Sequence, residues 1–310
     1  MFRLTMRWGA VVLVIGFLVS ACAPSEEPIK NAASPIRVIA IESFLADIAQ
    51  NVAGERIQIE TLMPIGMDPH SFEPTPQDVR KIASSDGLIV NGAGFELFLN
   101  RLLENAGGNY QLIEASKGLT SRAVKSNEPH DEENSNDPHF WMDPTNAMQY
   151  AKNIRDGLTR IDPAGAAIYK ANADAYIVKL NALDQRIRQQ VIAIPKADRK
   201  LVTDHDTLGY FADRYGFETV GMIVPSFSSV DSTPAKGLAE LIDAIKATKT
   251  KAVFVEANAN PQLADQIAQE TGARVFTGLY THSLSEPNGP APTYIQMLEY
   301  DTQKIVEALK

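Results

Sequence analysis

Apolar residues along the chain follow two alternating rhythms: short β-branched runs, and longer segments with apolar positions every three to four residues. IRVIAI (36–41) is a run of the first kind, and FLADIAQNVAG, ended by Gly54, is one of the second. RIQIETL (56–62) reads as a second strand. TPQDVRKIASS (75–85) predicts a helix, with Thr75 as its N-cap and Pro76 in the first turn, where a missing N–H costs nothing. DGLIVNGAG (86–94) predicts a third strand with a glycine turn, and ELFLNRLLENAGG the next helix. The same alternation returns late in the chain. KLVTD (200–204), ETVGMIV (218–224), KAVFVE (251–256) and ARVFTGLY (273–280) read as strands. Between them lie helices in DTLGYFADRYG, in STPAKGLAELIDAIKAT (232–248) and in NPQLADQIAQETG, which Gly272 closes. Strands that alternate with helices are expected to lie parallel, because a parallel pair needs a long crossover.

Residues 163–195 separate the two halves. They carry no glycine after Gly165 and no proline between Pro163 and Pro195, which predicts a helix. At roughly 30 residues it would be about 45 Å long, more than one small lobe needs. The expected fold class is therefore α/β. Two lobes, each a mostly parallel sheet flanked by helices, are joined by one long rigid α-helix. The first lobe is expected at 36–162, the connecting helix at 163–195 and the second lobe at 196–310. Within the first lobe SRAVKSNEPHDEENSNDP (121–138) has no periodicity and five acids, the pattern of a mobile acidic loop.

The N-terminus adds a location. Arg3 and Arg7 precede the apolar run Trp8–Val19, which is too short to span a bilayer, and VSAC follows. Residues 1–21 are expected to be a lipoprotein signal peptide, with Cys22 the lipidated first residue and 22–35 a flexible tether. Cys22 is the only cysteine in the sequence, which excludes an intramolecular disulfide. Composition changes little: 45% hydrophobic and 22% charged residues are globular values. A formal charge of −9 argues against nucleic acid and supplies no basic face for anionic lipid.

The chemistry concentrates in five histidines: His70, His130, His139, His205 and His282. Three of them, His70, His205 and His282, sit at or just past strand ends, where parallel sheets bind ligands. His139 lies in the ordered setting DPHFWMDP. Neutral imidazole suits zinc, and four nitrogens could close a tetrahedral site. No HExxH or CxxC pair compels that reading, and ordinary polar roles stay open on spacing alone. NGAGFE lacks the third glycine of a dinucleotide fingerprint, and neither a GxSxG elbow nor a catalytic thiol is present.

Taken together and in order, MDPHSFEPTP, DPHFWMDP, VTDHDTLGYFADRYG, FVEANANPQLADQIAQETGARV and LYTHSLSEPNGPAPTYIQML resemble the cluster A-I solute-binding proteins. These are the metal-binding lipoproteins of bacterial zinc and manganese ABC importers. The resemblance runs from about residue 36 to the end and includes the lipobox. It implies two lobes with one metal between them, and His70, His139 and His205 as three ligands. At the fourth position the family usually has aspartate in a D-S-L run, whereas this chain reads His282-Ser283-Leu284. An all-imidazole set offers manganese no carboxylate oxygen, so Zn2+ is the expected cargo and Mn2+ the weaker alternative. Asp68, Asp143, Asp206 and Glu256 are candidates to accept imidazole N–H bonds. His130 is placed for at most a weak accessory metal contact in the acidic loop.

The implied protein is a monomer, held to a bacterial membrane by the lipid on Cys22. It would lie in the periplasm or at the outer face of the cytoplasmic membrane. Its partners are then an ABC permease and, through it, an ATPase. A zinc hydrolase of the cell envelope is the competing enzymatic reading. It would need an open coordination position and a base such as Glu256, and four protein ligands leave no such position. An adhesin role, also ascribed to members of this family, has no residue signature.

Overall fold

The computed structural model describes residues 35–122 and 136–310. Cys22 and His130, and with them the lipidation site and the accessory contact, lie outside the described residues. Strands β1 (Val38–Ala40), β2 (Ile59–Thr61), β3 (Gly87–Val90) and β4 (Gln111–Glu114) form one sheet in the order β2-β1-β3-β4. Strands β5 (Lys200–Thr203), β6 (Glu218–Met222), β7 (Ala252–Glu256) and β8 (Arg274–Leu279) form a second in the matching order β6-β5-β7-β8. Every pairing is parallel. The central strands β1, β3 and β7 are buried throughout, as strands covered on both faces must be.

The helices are α1 (Ser43–Ala53), α2 (Pro76–Ala83), α3 (Leu99–Ala106), α4 (Pro144–Ile161), α5 (Ala166–Val191), α6 (Gly209–Tyr215), α7 (Ala235–Thr248), α8 (Gln262–Thr271) and α9 (Tyr294–Leu309). Thr75 caps α2 through a reciprocal pair with Asp78, and Gly54 and Gly272 end α1 and α8. The Ser-Thr-Pro run before α7 suggests a Ser/Thr cap with proline at the first helical position, which the structure does not form. Thr233 Oγ1 donates to the Ile223 carbonyl at 2.7 Å, so Pro234 takes the cap position without a side-chain bond.

The long helix α5 spans 26 residues, and Pro163–Gly165 form a separate 3-10 turn before it. Its buried stripe Tyr169, Ala173, Tyr176, Leu180, Leu183, Ile187 and Val191 recurs every three or four residues. That stripe packs against α1, α4 and α9. The last of these comes from the far end of the chain: the Tyr294 amide donates to Asp47 Oδ2 at 3.0 Å and the Leu284 amide to Ser43 Oγ at 2.9 Å. One apolar core therefore runs from Val38 and Phe44 through Trp141 and Tyr176 to Leu201, Phe254 and Leu298. Among the described residues no helix is long and apolar enough to cross a membrane.

Candidate metal centre

In each sheet the strand order changes direction beside its first strand, between β1 and β3 and again between β5 and β7. Loops leaving the carboxyl ends at such a point diverge and leave a crevice. His205 emerges directly from β5, fixed by Thr203 Oγ1 donating to the His205 carbonyl at 2.7 Å. His282 follows β8, whose register against β7 shifts between Val255 and Glu256. Gly278 lies in that irregularity at φ 92°, a left-handed conformation that glycine adopts without strain. His70 lies in the loop after β2, where its amide donates to Asp68 Oδ1 at 2.9 Å. Asp68 Oδ2 in turn accepts from Ser229 Oγ, in the second half of the chain, at 2.5 Å. His139 stands just before a 3-10 turn, Phe140–Met142, that leads into α4.

The four imidazoles meet. Their ring centroids are separated by 5.0 to 5.9 Å in all six pairings. One nitrogen from each lies within 4.8 Å of the others, and His139 Nε2 is 3.0 Å from His282 Nε2. Nitrogens held at 2.0–2.1 Å from a tetrahedral zinc would be about 3.3 Å apart, so shifts of at most about 1.5 Å in any pair would form the set. His139, His205 and His282 are 0%, 1% and 3% exposed. Phe95 stacks on His282 and meets His70 and His139 edge-on, so the cluster has an apolar wall.

Both ring nitrogens of His205, and Nε2 of His70, are buried without a hydrogen-bond partner. Burying polar atoms unpaired costs free energy that a ligand would recover. The other two rings are oriented from behind. Asp137 Oδ1 lies 2.9 Å from both the backbone N and Nδ1 of His139, and Glu256 Oε1 lies 2.9 Å from His282 Nδ1. A carboxylate at Nδ1 holds the proton there and leaves the Nε2 lone pair free to bind a cation.

Charge is distributed unevenly over the cluster. Burial depresses the His70 pKa to about 2, with the neighbouring His282 and His205 adding to the effect. His139 is lowered as well, by burial first. Burial acts against protonated His205 too, but Glu256 and Asp204 overcome it and carry this group up to about 9. Asp204 Oδ1 is 3.4 Å from its Nδ1 and Glu256 Oε1 3.9 Å from its Nε2. Metal binds only neutral imidazole, so loading at pH 7.5 is expected to expel about one proton per protein. Calorimetry in buffers of different ionisation enthalpy measures that proton. Because the folded group is charged below about pH 9, apparent affinity should rise with pH up to that value and level off above it.

The expected outer carboxylates divide. Glu256 touches His282, and Asp68 holds the backbone of His70. Asp143, by contrast, is a correction: Oδ1 accepts from Thr145 N at 2.7 Å and caps α4, and no hydrogen bond joins it to the four histidines. Asp206 faces Arg122 at 3.6 Å and makes no histidine pair. Asp137 is the residue sequence reasoning missed. The cue was present, since an acid two residues before a histidine can bond both its amide and its ring.

A family model described as "Zinc-uptake complex component A periplasmic" matches residues 38–308. The chain is 33% identical over 299 residues to the manganese-binding lipoprotein MntA of Halalkalibacterium halodurans, covering 96% of this chain and 97% of that one. To the iron-binding protein YfeA of Yersinia pestis it is 32% identical, covering 97% and 96%. Among solved structures, a manganese-bound mutant of the periplasmic metal binding protein from Candidatus Liberibacter asiaticus superposes with a TM-score of 0.80. That match has 31% identity and covers 89% of this chain and 100% of the other.

Proposed function

This chain belongs to the zinc-uptake complex component A family, the metal-binding proteins of ABC importers, and we propose that its cargo is Zn2+ bound by His70, His139, His205 and His282. Members of this family are solute-binding proteins rather than enzymes, and they work with permease and ATPase components. The observation that carries the zinc reading is the donor set: the innermost group is four imidazoles with no carboxylate among them. Imidazole suits zinc, whereas manganese favours carboxylate and other oxygen donors. Four ligands, two from each half of the chain, would complete a closed tetrahedral shell. Lipidation at Cys22 would keep the carrier at the outer face of a membrane, near its permease.

Manganese is the second reading, and two observations favour it. MntA is named as manganese-binding and the Liberibacter structure is manganese-bound. Asp204, His205 and Glu256 also form a mixed cluster that could lend carboxylate oxygen. Titration of chelator-stripped protein with each metal, followed by competition, separates the two. Zinc is expected to bind at least tenfold more tightly, and manganese binding of equal or greater affinity would overturn the assignment.

A further inference from the structure

Arg122 stands in the first half of the chain, yet its guanidinium lies among carboxylates drawn from both halves. Nη1 is 3.0 Å from Asp137 Oδ2 and 3.6 Å from Asp206 Oδ2, and Nε is 3.0 Å from Asp213 Oδ2. The Arg122 amide donates to Tyr210 Oη at 3.1 Å, and that hydroxyl donates to the Asp137 carbonyl at 2.8 Å. The guanidinium rests on Gly209, the first residue of α6. A Cβ there would stand 1.9 Å from Nη1 and 2.4 Å from Cζ. No positive φ requires glycine at this position, so space for the arginine is what the structure shows it provides.

Two of these carboxylates adjoin the metal histidines. Asp137 is fully buried, and its other oxygen holds both the amide and the ring of His139. Asp206 follows His205 in the chain. Asp213 is half exposed, so that leg contributes little. A planar fork with several donors can serve two carboxylates at once, which the point charge of a lysine cannot do equally well.

We propose that Arg122 is a positioning residue for the metal site, seated on Gly209, that ties the carboxylate holding His139 to the segment carrying His205. Its role is to keep the His139 ring fixed against the second half of the molecule, and so to lengthen the time a bound ion is retained. The inference rests on the four-histidine reading above. Outer partners of metal ligands commonly contribute 10–100-fold in affinity, and a loss of about that size is expected here.

The test titrates Zn2+ into wild type, Arg122→Gln, Arg122→Lys, Gly209→Ala and the Arg122→Gln/Gly209→Ala double variant, with stopped-flow release into chelator. Arg122→Gln is expected to weaken binding about 10–100-fold, mainly through faster release, and Arg122→Lys to recover part of the loss. Gly209→Ala changes no charge and favours helix, yet by displacing the guanidinium it should reproduce the Arg122→Gln effect. The double variant should be no weaker than either single one, because both remove the same contact. Affinity of Arg122→Gln within twofold of wild type, or losses that multiply in the double variant, would overturn the proposal. Should Arg122→Gln fail to fold, Gly209→Ala and Arg122→Lys carry the same comparison. His282→Ala run alongside keeps the two ideas apart. If it binds like wild type the four-histidine reading fails, and if it alone loses affinity only the role of Arg122 fails.

Discussion

Replacing His282 with alanine should lower zinc affinity by well over the 10–100-fold that loss of an outer-shell partner costs, because it removes a donor itself. The same change frees Glu256, whose carboxylate lies 2.9 Å from His282 Nδ1, and leaves it buried without that partner. His282→Asp is the informative companion. It restores an anionic oxygen donor where related proteins usually carry aspartate, so manganese binding should strengthen relative to zinc. Both changes are read by calorimetric competition on stripped protein. His282→Ala within tenfold of wild type would reduce the site to three histidines and remove the reason to prefer zinc.

Glu42→Gln should raise the stability of the protein at pH 8, because the folded wild type must there either hold a proton that the unfolded chain has released or bury a charge. Glu42 is 1% exposed, and neither of its carboxylate oxygens has a hydrogen-bond partner. Burial, and then the charge of neighbouring Glu96, raise it well above the usual carboxylate range. Glu96 is itself pushed by burial to about 7, although the amides of Asn91 and Gly92 donate to it at 2.5 and 3.1 Å. For groups raised in this way the folded chain keeps protons that the unfolded chain has already released. Stability should therefore decline as pH climbs from about 4.5 toward and beyond 7. A glutamine at position 42 carries no such charge and can donate to Glu96, so the decline should flatten. Denaturant midpoints at pH 5 and pH 8 measure both effects. A variant less stable than wild type at pH 8 would contradict the argument.

Much of the frame was legible because its elements obey simple periodicities. IRVIAI and KAVFVE are too short and too β-branched for anything but buried strands, and Thr75–Pro76 carries its own start signal. The clustering of four histidines was legible because four of only five lie past strand ends or in a distinctive motif. Other features left weaker traces. In β4 only Ile113 is buried, so QLIE shows no alternation worth reading. Asp143–Pro144 is a helix start of the same kind as Thr75–Pro76. Its position beside His139 suggested metal chemistry instead, and so concealed both the cap and the helix α4 behind it. Asp137 was one acid among five in a segment that looked fully solvated, and only tertiary packing shows that it is buried. Likewise, nothing local signals that Arg122 and Gly209 meet across 87 residues of chain.

The four imidazoles come from segments about seventy residues apart. In an unfolded chain, gathering them around one ion would mean closing three long loops at once. The entropy of that closure falls on the ion alone. Zinc modules with ligands a few residues apart can let the metal nucleate folding; here the metal is a passenger. The sheets and their shared core must assemble first, and the nitrogens come together as a result. A protein built this way can complete its fold without the ion. Cargo then adds stability only by mass action, about 2.7 kcal/mol at a free concentration one hundred times the dissociation constant. Giving the ion up leaves the fold standing, as a carrier that works repeatedly requires.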